Sequence, residues 1–307
     1  MNRSPAATTR RWLWAVQGLI TLAVVAFVGR SISRNWEEFR SLHVDLAVRP
    51  AWIAGSALAV LATYAMQIES WRRIIAGWGQ RIRFGPAARA WSLANLGRYV
   101  PGKVWSVAGL VVLARQAGVE AGPAAASAFV VQALALGTGA AVVAAATPHA
   151  APPLRLVVAG LAGLATIGVL VWPRTAGLLA RLAKGVAPGP LTASAAIAGA
   201  VLTVLSWITY GFALWLLARG LLPGATLPLA SAVGAFTLGY ILGVLALFAP
   251  GGVGIRELVL VGLLSPSLGG GGAVALSVGS RVVLTVLEAA TALVTFPFRE
   301  RPEESRR

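Results

Sequence analysis

The residues able to do chemistry in this chain are the charged ones that interrupt its apolar runs. Asn95-Leu-Gly-Arg98-Tyr-Val-Pro101-Gly102-Lys103-Val-Trp105 sets two cations around a Pro-Gly step. Phe248-Ala-Pro250-Gly251-Gly252-Val-Gly254-Ile-Arg256-Glu257 sets an Arg and a Glu just after a second one. Lipid cannot hydrogen-bond the backbone groups that Pro and Gly release, so such breaks persist only where protein or a water-filled cavity surrounds them. Ionisable side chains at membrane depth are costly and point to function. The chemistry these residue types suit is a grip on an anionic, phosphate-like group. Gly102 and Lys103 are expected to open a helix toward Leu113, whose N-terminus would offer unpaired N–H groups and a positive dipole end. Lys103 adds a point charge, and Arg98 can hold a phosphate through two parallel hydrogen bonds. Trp105 and Tyr99 read as residues at headgroup level, and the competing reading is a cytoplasmic hairpin whose Arg and Lys simply snorkel to water.

At the second break, Pro250, Gly251, Gly252 and Gly254 let the backbone turn tightly and approach a ligand. Glu257 falls in the first turn of the following helix, where it complements the dipole, so capping competes with a functional role. Arg256 in the same turn opposes the dipole unless an anion is present. Arg281 and Glu288 lie in the last apolar run, seven residues and about 10 Å apart along one helix face. They are too distant to bond each other. Each is expected to meet a partner on another helix, Glu288 with Arg256 and Arg281 with Glu257, because unpaired burial is expensive. Such pairs either pin helix packing or serve a substrate. Glu69, beside Arg72 and Arg73, reads as interfacial.

These residues need a membrane-spanning frame to position them. The 307 residues are 57% hydrophobic and 12% charged, with a mean hydropathy of +0.77, where a soluble domain carries about a quarter charged residues. Runs of spanning length are 12–28, 51–68, 124–146, 154–172, 193–217, 228–248 and 273–296. Two further stretches, 87–113 and 253–264, contain or adjoin the breaks and read as half-helices or re-entrant hairpins. The expected fold is therefore an all-α polytopic integral membrane protein. It has about seven to eight transmembrane helices, two of them Pro-Gly-broken or re-entrant. The two Pro-Gly steps are 149 residues apart, near half the chain, which points to an inverted repeat with a midplane site. The candidate half-repeats, 12–146 and 154–296, lie within a single transmembrane domain, 1–307.

Net charge is +16, from 24 Arg and two Lys against ten carboxylates. The basic clusters at the N-terminus, at residues 72–89, at residues 174–184 and at the C-terminus read as cytoplasmic by the positive-inside rule. This makes 1–11 and 299–307 short cytoplasmic tails, and a bacterial inner membrane the expected location. The apolar run after Arg3, Arg10 and Arg11 resembles a secretory signal but is expected to remain as the first helix. Seven full spans would leave the C-terminus outside, so an extra crossing near one break, with residues 265–272 outside, is expected to restore the parity. There is no Cys, and His43 and His149 are isolated, so no metal, cofactor or thiol chemistry is expected. No nucleotide-binding or catalytic motif is found, and the Arg excess is assigned to membrane topology rather than nucleic acid.

The segments Gly97-Arg98-Tyr-Val-Pro101-Gly102-Lys103 and Pro250-Gly251-Gly252-Val-Gly254-Ile-Arg256-Glu257 resemble the transmembrane region of the lysylphosphatidylglycerol synthase/flippase family, over nearly the whole chain in motif order and hydropathy. The resemblance implies lipid handling. In bifunctional members the membrane region moves an aminoacylated lipid between leaflets, and a separate soluble domain makes it. The 307 residues hold only the membrane region, so synthesis is not expected of them. The expected function is movement of an anionic or aminoacylated phospholipid headgroup through a polar cavity. There Arg98, Lys103 and Arg256 hold phosphate, while Glu257 and Glu288 balance charge. The expected partners are membrane phospholipids and, at a further remove, lipid-synthesis enzymes. Two alternatives are a membrane subunit of a lipid-linked glycan or lipid-modifying transferase pathway, and a non-transporting scaffold.

Overall fold

The computed structural model describes residues 46–99, 104–146, 152–175, 177, 189–246 and 250–298. The first apolar run, both tails, and Gly102 and Lys103 lie outside them. All regular structure among the described residues is helical: α1 Pro50–Ala76, α2 Phe84–Leu96, α3 Val104–Gln116, α4 Ala121–Ala146, α5 Pro152–Val171, α6 Ala193–Leu221, α7 Leu229–Leu245 and α8 Ile255–Thr295. Five of these (α1, α4, α5, α6 and α8) are long and apolar enough to cross a membrane. The chain is a multi-pass membrane protein.

Small residues set the packing. Helices in lipid gain little from apolar contact with each other, so close backbone approach and interhelical hydrogen bonds hold them together. α1 and α6 run antiparallel along their full length on such contacts. Ser56 Oγ donates to the Ala213 carbonyl at 2.8 Å, Ser70 Oγ donates to the Gly199 carbonyl at 3.0 Å, and Gly77 lies against Ala195. Trp71 Nε1 donates to Ser127 Oγ on α4 at 3.0 Å, and Trp207 Nε1 to Thr138 Oγ1 at 3.2 Å. Bonds of this kind contribute about 0.6 kcal/mol each, up to about 1.7. Ile74, Val130, Leu134, Leu170 and Leu191 fill the apolar core where α1, α4, α5 and α6 meet.

α2 and α3 form one helical hairpin. Ala94 faces Gly109, and Gly97 lies on the backbone of Trp105 and Ser106, so the two arms pack against each other. Each arm has 13 residues, about 20 Å at 1.5 Å per residue, too short to cross a core of about 30 Å. A second hairpin joins α7 to the first part of α8. Gly243 packs on Gly252 and Gly239 on Arg256. α7 has only 17 residues, so the run expected at 228–248 is the entering arm of this hairpin. α8 in turn folds back on itself at Gly269 (φ 71°, ψ 162°): Glu257 reaches Arg281, and Arg256 reaches Ser280. Residues 265–272 are helical on both sides of that single glycine.

The hairpins enter from opposite sides. The base of the first lies with the end of α1, the start of α6 and the end of α8. Trp78 Nε1 donates to the Gly189 carbonyl at 2.9 Å, the Glu120 N–H to Gln80 Oε1 at 3.2 Å, and Arg89 Nε to the Phe296 carbonyl at 3.0 Å. The base of the second lies at the other end of α6. There the Ala47 N–H donates to the Leu221 carbonyl at 3.0 Å, the Arg49 N–H to the Gly220 carbonyl at 3.1 Å, and Leu222 touches Gly272. Neither hairpin makes a net crossing. The five long apolar helices carry the chain from the side of residue 46 to the side of residue 298; the first apolar run, on which the parity also depends, lies outside the described residues.

Candidate functional site

The two tips meet in the middle of the bundle. Tyr99, in the 3-10 turn Gly97–Tyr99 that extends α2, lies beside Gly251 in the turn Pro250–Gly252. The second tip needs its glycines. Gly251, Gly252 and Gly254 have φ of 58°, 69° and 86°, the left-handed region that a side chain disfavours. A methyl group at Gly252 would also lie 2.9 Å from Gly243 Cα. This backbone turns α8 back along α7 while keeping Arg256 and Glu257 at the tip.

The charged residues form two ion pairs and one cation set apart. Arg98 Nη1 donates to Glu288 Oε1 at 2.9 Å, and its Nη2 donates to Asn95 Oδ1 at 2.6 Å. Tyr99 OH donates to the second oxygen, Glu288 Oε2, at 2.5 Å. Glu288 is 6% exposed, so a buried carboxylate on α8 receives both donors from the first tip. Arg281 Nη1 donates to Glu257 Oε1 at 2.5 Å, and its Nη2 to the Gly251 carbonyl at 3.2 Å. Glu257 Oε2 also accepts the Gly254 N–H at 2.7 Å. It therefore caps the helix and holds Arg281 at once, and the two sequence readings of Glu257 are compatible.

Arg256 stands differently. Its Nη2 donates to the neutral Ser280 Oγ at 3.2 Å, its guanidinium lies 4.8 Å from the Phe236 ring centroid, and its buried Nε has no acceptor. No carboxylate pairs with it among the described residues. The pairing expected between Arg256 and Glu288 is thus replaced by Arg98 with Glu288, while Arg281 with Glu257 is found as expected. The reason is reach. Glu288 lies about 10 Å along α8 from Arg281, two turns on toward the first hairpin, so the Arg on that hairpin arrives first.

A cavity of about 30 Å³ lies between the tips, bordered by Arg98, Tyr99, Tyr210, Tyr240, Arg256 and Glu288. That is room for about two waters. The expected site residues Arg98, Gly251, Arg256, Glu257, Arg281 and Glu288 come together here. Pro250, Gly252 and Gly254 build the turn beneath them, and Gly102 and Lys103 lie outside the described residues. Among the described residues no three metal-ligating side chains converge.

Sequence reasoning missed the tyrosines. Tyr99 was assigned to headgroup level, yet its hydroxyl is tied to Glu288 at the tip. Tyr210 and Tyr240 border the cavity, and Tyr64 meets Tyr210 edge-on with ring centroids 6.4 Å apart and donates to the Leu284 carbonyl at 3.4 Å. All four Tyr of the chain gather here. The signal was present: Tyr64, Tyr210 and Tyr240 fall inside apolar runs rather than at their ends, where a belt residue belongs. Residues 14–290 match the family described as "Lysylphosphatidylglycerol synthase TM region". Among curated proteins none matches the chain.

Proposed function

The chain belongs to the lysylphosphatidylglycerol synthase TM region family, whose membrane region is related to lipid handling, and from that membership and the site geometry we propose that it moves a phosphate-bearing lipid headgroup across the bilayer. The observation that carries the proposal is the tip-to-tip meeting of two half-length hairpins from opposite sides at a cluster of three guanidinium and two carboxylate groups. A polar headgroup crossing lipid needs such a path, because burying its charge unpartnered is prohibitive. Here Arg98 and Arg256 receive the phosphate while the acyl tails stay in the membrane. The present cavity is too small for a headgroup, so passage requires the Arg98–Glu288 or Arg281–Glu257 pair to open. A phosphate is the group best suited to replace a carboxylate on Arg98, since both accept the same paired donors.

The half-repeats 12–146 and 154–296 are part of the same reading, each supplying one hairpin. The side bearing Arg72, Arg73, Arg81, Arg83 and Arg174 is assigned to the cytoplasm of a bacterial inner membrane. Both carboxylates at the site are engaged by Arg, which speaks against a general acid or base and so against the transferase alternative.

The test is a leaflet assay. Purified protein is reconstituted in liposomes with fluorescent headgroup-bearing lipids, and the outer-leaflet label is quenched over time. Transbilayer movement above that of protein-free liposomes is expected, with at least a tenfold lower rate for Arg98→Gln. Folded, inserted protein that moves no labelled lipid would refute the proposal.

A further inference from the structure

We infer that the site selects its headgroup by charge, taking a phosphodiester with one net negative charge in preference to zwitterionic lipid and to lipid carrying an added ammonium. This rests on the lipid-moving reading above and narrows it. Among the described residues, the charged side chains at the tips are Arg98, Arg256, Arg281, Glu257 and Glu288. Four are matched in two ion pairs. The fifth, Arg256, leaves the cluster one positive charge in excess.

The surroundings of Arg256 say what would match it. Its contacts are a serine hydroxyl and an aromatic face. Both tolerate a guanidinium, but neither neutralises it. Its Nε is buried with an unused hydrogen, where buried donors are nearly always bonded. Nε and one Nη together form the fork that fits two oxygens of a phosphate. Tyr210 and Tyr240 border the same cavity and can donate to further oxygens. One phosphodiester anion brings the cluster to neutrality. A zwitterionic headgroup leaves the excess in place, and an aminoacylated phosphatidylglycerol with two ammonium groups raises it. In a water-poor interior such imbalances are magnified. Glu257 and Glu288 offer no ready compensation, since each already receives an Arg.

The experiment is equilibrium binding to the full-length protein in detergent, read by native mass spectrometry. The probes are phosphatidylglycerol, phosphatidylcholine, lysylphosphatidylglycerol, soluble glycerophosphoglycerol and inorganic phosphate. The expected result is phosphatidylglycerol binding about tenfold tighter than either other lipid. Arg256→Gln should reduce that preference to about twofold or less. Arg256→Lys should keep the charge preference with weaker binding, because it retains the charge and loses the fork. The lysine variant also guards against a folding defect in the glutamine variant. Displacement of phosphatidylglycerol by glycerophosphoglycerol or inorganic phosphate would show that the phosphate alone is the ligand. Displacement by neither would show that the tails are needed; both outcomes support recognition of the anion. Equal or tighter binding of lysylphosphatidylglycerol, or a charge preference unchanged in Arg256→Gln, would overturn the inference. Its failure is separable from that of the transport reading, since lipid can be moved without charge selection and bound selectively without being moved.

Discussion

If the Arg98–Glu288 contact is what docks the first hairpin, neutralising either partner should loosen the tip and neutralising both should restore much of the loss. Glu288→Gln keeps the side-chain shape but removes the charge. Arg98 then has only neutral amide acceptors, Asn95 Oδ1 at 2.6 Å among them, and Tyr99 loses its charge-assisted bond. Removing one partner of a buried pair costs about 3–5 kcal/mol. Arg98 is 26% exposed, so solvent compensates it in part, and about 3 kcal/mol is expected. Arg98→Gln leaves a carboxylate that is 6% exposed without its cation, and about 4 kcal/mol is expected, nearer the upper end of the range. The double variant faces two amides that can bond each other, so its loss should be about 1–3 kcal/mol below the sum of the singles. The assay is equilibrium unfolding in mixed micelles titrated with SDS, over the full cycle of four proteins. Single-variant losses that add to within about 0.5 kcal/mol would show that the two residues do not depend on each other, and the docking argument would fail.

Three further outcomes follow from the geometry. Gly97→Ala puts a methyl 2.7 Å from Ser106 N and 2.8 Å from Trp105 C, both backbone atoms, so it should cost about 1–3 kcal/mol; Gly160→Ala, with nothing within 4 Å, should cost nothing in the same unfolding assay. Glu69→Gln breaks the pairs with Arg72 and Arg73, but these are partly exposed, Arg73 to 59%. It should therefore change stability by less than about 1 kcal/mol, and a larger loss would mean that Glu69 is buried against something else in the membrane. Because the chain has no Cys, single cysteines report topology directly. Gln80→Cys and Gly118→Cys should react with an impermeant maleimide from one side, Gly224→Cys and Gly270→Cys from the other, and any other partition would overturn the two-hairpin arrangement.

Much of this protein was legible in its sequence. Apolar runs of spanning length fixed the helical membrane class, because lipid leaves the backbone no partner but itself. Pro101-Gly102 and Pro250-Gly251 marked the two interruptions for the same reason, and ionisable residues inside apolar runs marked the site, because their burial must be balanced. The partner of Arg281 was found by the same reasoning, since Glu257 is the acid at the second tip, where α8 folds back on itself. The tertiary structure decided what depends on three-dimensional reach. Residues 228–248 read as a span on composition, but the left-handed turn at Gly251 and Gly252 folds α7 and the start of α8 into a half-length hairpin. Glu288 bonds Arg98 rather than Arg256 because hairpins from opposite sides bring residues 190 positions apart into contact. That meeting leaves Arg256 without an acid partner among the described residues. Hydropathy is a local sum along the chain, whereas which charge faces which is set by how helices cross.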